Sequence, residues 1–381
     1  MSVVKINKDM MIWARKYAGY VNGYEKDLPD YIKNKYESWE SGDELPTWNQ
    51  LVKVSEKYKV PTAFFFMKTP PDYDNIPNLI NYRKLNVENI FKYNSPYLIE
   101  NIRSSLNRRK IFIELCYELN ENISPFEVFR GELNKYNLAS FIREKLDVSI
   151  DTQKSWLKKE NRKDTKHYNF LNNWKEVLSE KFGILIFETY DVDIKEMRGL
   201  CIFYEKAPII LLNGKDSVNG RIFSLFHELT HLLLGESAIC GDDFKRDIEV
   251  FCNAVAGEFL VPTRDLTNNL VDIPINELLN DLCNLYGVSE QVIIRRLLDL
   301  NIITKNDYDL KIDNINDTTI ASKGNGGNYY RNMIKYNGKT FYSIVLEAYE
   351  VGIINACDLS HYTGLKLKQV PMIEDILYGR E

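Results

Sequence analysis

The stretch Arg221–Gly235 of this 381-residue chain reads RIFSLFHELTHLLLG and contains two histidines four residues apart. A helix turns by about 100° per residue, so His227 and His231 would lie on one face, where their rings can bind one metal ion. Glu228 follows the first histidine and points to the side of that face, where it can reach a metal-bound water without being a ligand. The spacing therefore predicts a metal site with a general base beside it.

The residues around the histidine pair are almost all apolar, which predicts a buried helix that ends at Gly235. Burying two histidines and a glutamate is costly unless these side chains bind something. A structural histidine pair is the alternative to a metal site. The pattern favours zinc, whose catalytic sites usually combine three protein ligands with a water.

The next predicted helix, at 244–260, offers three candidates for the third ligand, namely Asp247, Glu249 and Glu258. Asp247 and Glu258 are eleven residues apart and share a face, whereas Glu249 lies nearly opposite, with Asn253 one turn on. Small residues below Glu249 would let this helix approach the histidine helix, and Asn253 could steady the carboxylate. We therefore favour Glu249 as the third ligand, with Asp247 and Glu258 as alternatives.

Three short apolar runs precede the histidine helix, at 184–187, 200–204 and 209–212. Their β-branched residues predict a three-stranded sheet that leads into that helix. An edge strand beside a metal helix is a place where an extended peptide can add through main-chain hydrogen bonds. A scaffold sheet with no peptide contact is the alternative.

Composition and charge indicate a globular, cytoplasmic protein with room for two or three domains. Apolar residues make up 44% and charged residues 27% of the chain, which excludes wholesale disorder. The net charge of -5 provides no general attraction to nucleic acid, and no apolar run is long enough to predict a membrane span or a membrane partner. The six scattered cysteines are typical of reduced thiols, and the N terminus lacks the apolar core of a secretory signal.

Residues 1–69 predict a small helical module that resembles the helix-turn-helix of XRE-family regulators. The resemblance rests on the Trp-Glu-x-Gly pattern at 39–42, followed by Pro46-Thr47 and Leu51. It implies that this module can contact DNA. A protein-docking or purely structural module is the alternative.

The sequence departs from the XRE pattern ahead of the expected recognition helix at Pro29–Ser38. Gly23 and Pro29 weaken or break the helix that should precede it. Lys33 and Lys35 are candidate phosphate contacts, but acidic residues crowd the same surface and would repel DNA.

The metal-site segment resembles the ImmA/IrrE family of metallopeptidases. The resemblance is carried by HELTH at 227–231, EVFCN at 249–253 and EFLVP at 258–262. The family commonly has alanine where Cys252 stands and methionine where Val261 stands. The resemblance implies zinc bound by His227, His231 and Glu249, with Glu228 as the general base.

The residues and resemblances predict an α+β, predominantly α fold. We expect an XRE-like helix-turn-helix module at 1–69, a linker at 70–90, a zincin-like metallopeptidase domain with a small three-stranded sheet at 91–313, and a C-terminal helical extension at 314–381. The resemblance implies an endopeptidase whose substrate is a regulatory protein, often a DNA-binding repressor. The alternative is a DNA-binding regulator or antitoxin-like protein whose metal domain senses or binds without cleaving.

Overall fold

The chain forms two compact units, Met1–Asn107 and Arg108–Glu381. Both units are mostly helical, and the described residues contain one small sheet, so the predicted α+β, predominantly α class is confirmed. The predicted linker at 70–90 lies almost wholly outside the described residues. The computed structural model describes residues 3–71, 95–158, 163–235, 242–270, 274–318 and 328–378.

The first unit is a helical module with its own apolar core, built around the buried Trp39, Leu51 and Tyr58. The side chain of Asn7 caps the first helix, and Thr47 and Gln50 form a capping box at the fourth. Its helices are α1 (Lys8–Tyr17), α2 (Asp30–Lys33), α3 (Tyr36–Ser41) and α4 (Trp48–Tyr58), with 3-10 turns at Tyr24–Asp27 and Thr62–Phe66.

The expectation of one recognition helix over Pro29–Ser38 is wrong, because α2 ends at Lys33 and α3 begins at Tyr36. Lys35 leaves the helical region with φ −132°, and the hydroxyl of Ser38 donates to its carbonyl. The interruption predicted upstream is present, since Gly23 has a φ of +96° ahead of a 3-10 turn.

The second unit packs helices around the sheet. None of the helices in the described ranges is both long and apolar enough to cross a membrane. The helices before the sheet are α5 (Pro96–Glu118), within which the division between the units falls, α6 (Lys135–Leu146), α7 (Ile150–Lys158) and α8 (Lys163–Phe182). Those after the sheet are α9 (Val218–Leu234), α10 (Asp242–Leu260), α11 (Thr263–Asn268), α12 (Ile275–Tyr286), α13 (Glu290–Asp299), α14 (Lys305–Thr318), α15 (Tyr329–Asn337), α16 (Lys339–Glu350), α17 (Ala356–Thr363) and α18 (Val370–Tyr378).

The sheet has three strands, β1 (Leu185–Thr189), β2 (Gly199–Ile202) and β3 (Ile209–Asn213), which confirms the predicted sheet. β3 is central, parallel to β1 and antiparallel to β2. Every residue of β1 and β3 is buried, as expected for strands covered on both faces. β2 is an edge strand and contacts α9.

Helix α9 follows the sheet and is buried along almost its whole length. It begins at Ser217, whose side chain accepts a hydrogen bond from the Gly220 amide, and ends at Gly235 with φ +61°. Phe226 packs on Phe259 of α10, with ring centroids 4.3 Å apart. Each such buried ring contributes roughly 1.5–3 kcal/mol of transfer free energy. This packing fixes the histidine face of α9 opposite α10.

Candidate metal centre

Three side chains from α9 and α10 bring their metal-binding atoms close together. His227 Nε2 lies 3.1 Å from His231 Nε2. The carboxylate of Glu249 spans the pair, with Oε2 3.2 Å from His227 Nε2 and Oε1 3.3 Å from His231 Nε2. In the described part of the chain, these three residues are the group of histidine, cysteine and acidic side chains placed to share a metal ion.

The size of this donor triangle suits a tetrahedral ion. Zinc bonds of about 2.0–2.1 Å at tetrahedral angles separate neighbouring ligand atoms by roughly 3.3–3.4 Å. The two Nε2 atoms are 3.1 Å apart, close to one edge of such a tetrahedron, and each of them has a different oxygen of Glu249 at 3.2–3.3 Å. Three protein donors therefore leave the fourth position for a water or a substrate.

The electrostatics of the three donors are coupled. Burial of Glu249 opposes its ionisation, but hydrogen bonds from both histidine rings outweigh burial and hold the pKa of this carboxyl well below its usual range. Burial disfavours the charged form of His227, yet its contacts with Glu249 and Glu228 raise the pKa of its ring. The carboxylate of Glu249 is therefore held in its charged form against the two rings, which suits it as a metal ligand.

Glu228 lies beside the triangle with only 2% of its surface exposed. Its Oε2 has no hydrogen-bond partner in the described ranges, while its carboxylate contacts the thiol of Cys201 on β2. A Cβ atom on Gly199 would lie 3.1 Å from Cγ of Glu228 and 3.2 Å from its Oε1, so the glycine leaves room for this side chain. A buried oxygen without a hydrogen-bond partner lowers the stability of the fold by roughly 1–3 kcal/mol. Such an oxygen can accept a proton from a bound molecule.

Residues 179–298 match the IrrE N-terminal-like domain, a peptidase family. The matched range contains the sheet, both metal-site helices and the helices α11 and α12, and it supports the predicted ImmA/IrrE family, a zincin-like fold and a metallopeptidase-type function. No curated protein matches the chain. The XRE-type module lies outside the matched range and stays a prediction.

The other two ring nitrogens of the IrrE-like site are also engaged. Nδ1 of His227 lies 2.9 Å from Oδ1 of Asn253, and Nδ1 of His231 lies 3.5 Å from the sulfur of Cys252. These contacts turn both Nε2 atoms toward Glu249. The side chain of Asn253 thus contacts the ring of His227, and its expected contact with the Glu249 carboxylate stays a prediction. Its neighbour Cys252, whose position in the sequence did not predict a role in the site, contacts the second ring.

The two alternative ligands of the IrrE-like domain lie elsewhere. Asp247 is exposed. Glu258 accepts hydrogen bonds from the amide and the hydroxyl of Thr263 at the start of α11, and it pairs with the buried Arg296 of α13. The EFLVP segment at 258–262 therefore supplies a structural carboxylate, and its arginine partner was not predicted from the sequence.

The candidate DNA contacts of the N-terminal module have partners within the protein. Nζ of Lys33 donates to the carbonyl of Lys26 at 2.7 Å, and Nζ of Lys35 pairs with Glu44 at 2.6 Å. Exposed contacts of this kind contribute about 0–1 kcal/mol to the free energy of folding. Each lysine can therefore exchange its present partner for a phosphate oxygen. DNA binding by this module stays a prediction.

Proposed function

We propose that the chain is a zinc-dependent endopeptidase that cleaves a regulatory protein, such as a DNA-binding repressor. The observation that carries the proposal is the triangle of His227, His231 and Glu249 beside the unpaired buried oxygen of Glu228. Structural zinc sites usually have four protein ligands and need no general base. Three ligands with a base beside them are typical of a hydrolytic site.

The residues divide the chemistry between them. A bound zinc ion supplies a Lewis acid that polarises the scissile carbonyl and lowers the pKa of a water toward about 7. His227, His231 and Glu249 hold that ion, and Asn253 fixes the ring of His227. Glu228 accepts the proton of the attacking water and then passes it to the leaving amine.

We infer that the peptide binds as an extended segment along β2. This strand forms one edge of the sheet and contacts α9, which carries the histidines. Edge strands offer main-chain donors and acceptors to an added strand, and such pairing tolerates many side chains. The proposal is that main-chain pairing aligns the peptide and that the metal site selects the bond that is cut.

The decisive experiment compares wild type with Glu228→Gln in cells that produce the protein, by labelling new protein N termini. We expect one or a few new termini with wild type and none with Glu228→Gln, while both purified proteins contain equal amounts of zinc. Asp247→Asn is the matched control, because it neutralises an exposed carboxylate of the neighbouring helix and should leave cleavage unchanged.

Two outcomes would contradict the proposal. Identical new termini in wild type and Glu228→Gln would rule out Glu228 as the base. A wild-type protein that binds no zinc when refolded with excess metal would rule out the metal mechanism itself.

A further inference from the structure

A second group of charged side chains surrounds the carboxylate of Glu188 at β1, in a part of the unit that the metal mechanism does not use. Glu188 is only 1% exposed. Its Oε2 accepts hydrogen bonds from Nη1 of Arg221 at 2.8 Å and from the hydroxyl of Tyr190 at 2.6 Å, and Lys175 of α8 pairs with its Oε1. We call this group, together with Lys335 and Tyr168, the Glu188 cluster.

Lys335 of α15 adds another positive charge to the Glu188 cluster. Its Nζ lies 4.6 Å from the ring centroid of Tyr168, and the guanidinium carbon of Arg221 lies 5.4 Å from the same ring. Burial lowers the pKa of Lys335, and the charges of Arg221 and Lys175 lower it further, whereas Glu188 raises it. These cations therefore interact with one another across a single aromatic ring.

The cluster contains more positive than negative charge. Lys175, Arg221 and Lys335 are three cations, and within the described ranges Glu188 is the carboxylate at ion-pair distance from Lys175 and Arg221, while Lys335 has none at that distance. Arg221 is only 2% exposed, and its Nε makes no hydrogen bond to any described residue. Leaving one N–H group of a buried guanidinium without a partner is unfavourable, and like charges in a poorly solvated site repel one another.

We propose that the Glu188 cluster binds a phosphate group, either as free phosphate or as a small phosphate monoester. A phosphate monoester carries about −1.5 to −2 charges at neutral pH, which matches the excess of positive charge. Arginine N–H groups suit phosphate oxygens, and lysines add point charges. Tyr168 is 39% exposed at the edge of the cluster, so an anion can enter from solvent.

Phosphate at this position would connect elements that are far apart in the sequence. Lys175 and Tyr168 belong to α8, Arg221 to the first turn of α9, and Lys335 to α15 in the C-terminal extension. Arg221 precedes His227 by six residues, about 9 Å along the helix. Bound phosphate would therefore stabilise the start of the metal helix, and this inference does not depend on peptidase activity.

The test measures thermal unfolding and calorimetric binding of the full chain in inorganic phosphate and in chloride at equal ionic strength. We expect phosphate to raise the melting temperature of wild type. Lys335→Gln should weaken phosphate binding about tenfold or more, as expected for loss of a charge-assisted contact, whereas Lys335→Arg should keep it. Lys339→Gln is the matched control, because it removes an exposed cation four residues away that pairs with Glu176.

Equal melting in phosphate and chloride would overturn the proposal, and so would equal phosphate affinity in wild type and Lys335→Gln. If Lys335→Gln does not fold, the other proteins still test the proposal. Wild type, Lys335→Arg and Lys339→Gln must then all bind phosphate. Glycerol phosphate in place of inorganic phosphate distinguishes the two sources, because tighter binding of the ester assigns the cluster to a monoester.

Discussion

At the scale of single residues, the metal site depends on which nitrogen of each histidine faces inward. A ring whose Nδ1 is held by a neighbour presents Nε2 in one direction only. Asn253 and Cys252 are consecutive residues of α10, and they hold Nδ1 of His227 and of His231 respectively. One short segment thus carries the carboxylate of Glu249 and contacts both histidine rings.

The two orienting contacts differ in strength, and zinc affinity should reflect that difference. Asn253→Ala removes an N···O contact of 2.9 Å, and loss of such a partner should weaken zinc binding about 10–100-fold. Cys252→Ala removes a weaker contact at 3.5 Å and should have a smaller effect. Competition with a fluorescent chelator measures both affinities. Equal losses in the two variants would show that the rings are held by packing alone.

At the scale of secondary-structure elements, the connection between α10, α11 and α13 depends on one buried ion pair. Arg296 is 1% exposed, pairs with Glu258 and donates to the carbonyl of Val261 at 3.1 Å. Its neighbour Arg295 points outward and pairs with Asp299. The two arginines are adjacent in sequence, but Arg296 is buried and Arg295 is exposed. Substituting each in turn therefore compares a buried ion pair with an exposed one.

Arg296→Met should lower the free energy of unfolding by about 3–5 kcal/mol, because it leaves the buried carboxylate of Glu258 without its cation. Arg295→Met should change it by about 1 kcal/mol or less, because the lost pair is exposed to solvent. Urea unfolding of both variants measures the difference. A similar decrease in the free energy of unfolding in both variants would mean that the hydrogen bonds from Thr263 are enough to stabilise the Glu258 carboxylate without the arginine.

Elements with a strong local pattern could be predicted from the sequence. Helix α9 is apolar on almost every side, and the strands are short β-branched runs, so their type follows from nearby residues. The strand order and the contacts of Asn253, Cys252 and Arg296 could not be predicted, because they join elements distant in the chain. The break between α2 and α3 was also missed, since Asn34 and Lys35 carry no strong signal that ends a helix.

At the scale of the whole molecule, the first unit is the one in which DNA binding can be tested. If it contacts DNA, Lys33 and Lys35 must exchange the Lys26 carbonyl and Glu44 for phosphates. We expect weak binding to duplex DNA that decreases steeply as salt rises from 50 to 200 mM, by an order of magnitude or more. Replacing both lysines with glutamate should abolish it in a gel-shift assay, and Lys53→Glu serves as a control on α4. Binding that does not weaken as the salt concentration rises would contradict phosphate contacts by Lys33 and Lys35.

The two units have separate apolar cores, so metal should affect the unfolding of only one of them. All three donors belong to the second unit and join α9 to α10. A ligand that binds only the folded state stabilises it by mass action, about 2.7 kcal/mol at a hundredfold excess over its dissociation constant. Chelation of zinc should therefore lower the melting temperature of the second unit and leave that of the first unchanged.

Scanning calorimetry should show no chelator effect in His227→Ala and a full effect in His361→Ala, which removes an exposed histidine of α17. A chelator effect of the same size in His227→Ala would mean that the stabilising metal binds somewhere other than the donor triangle.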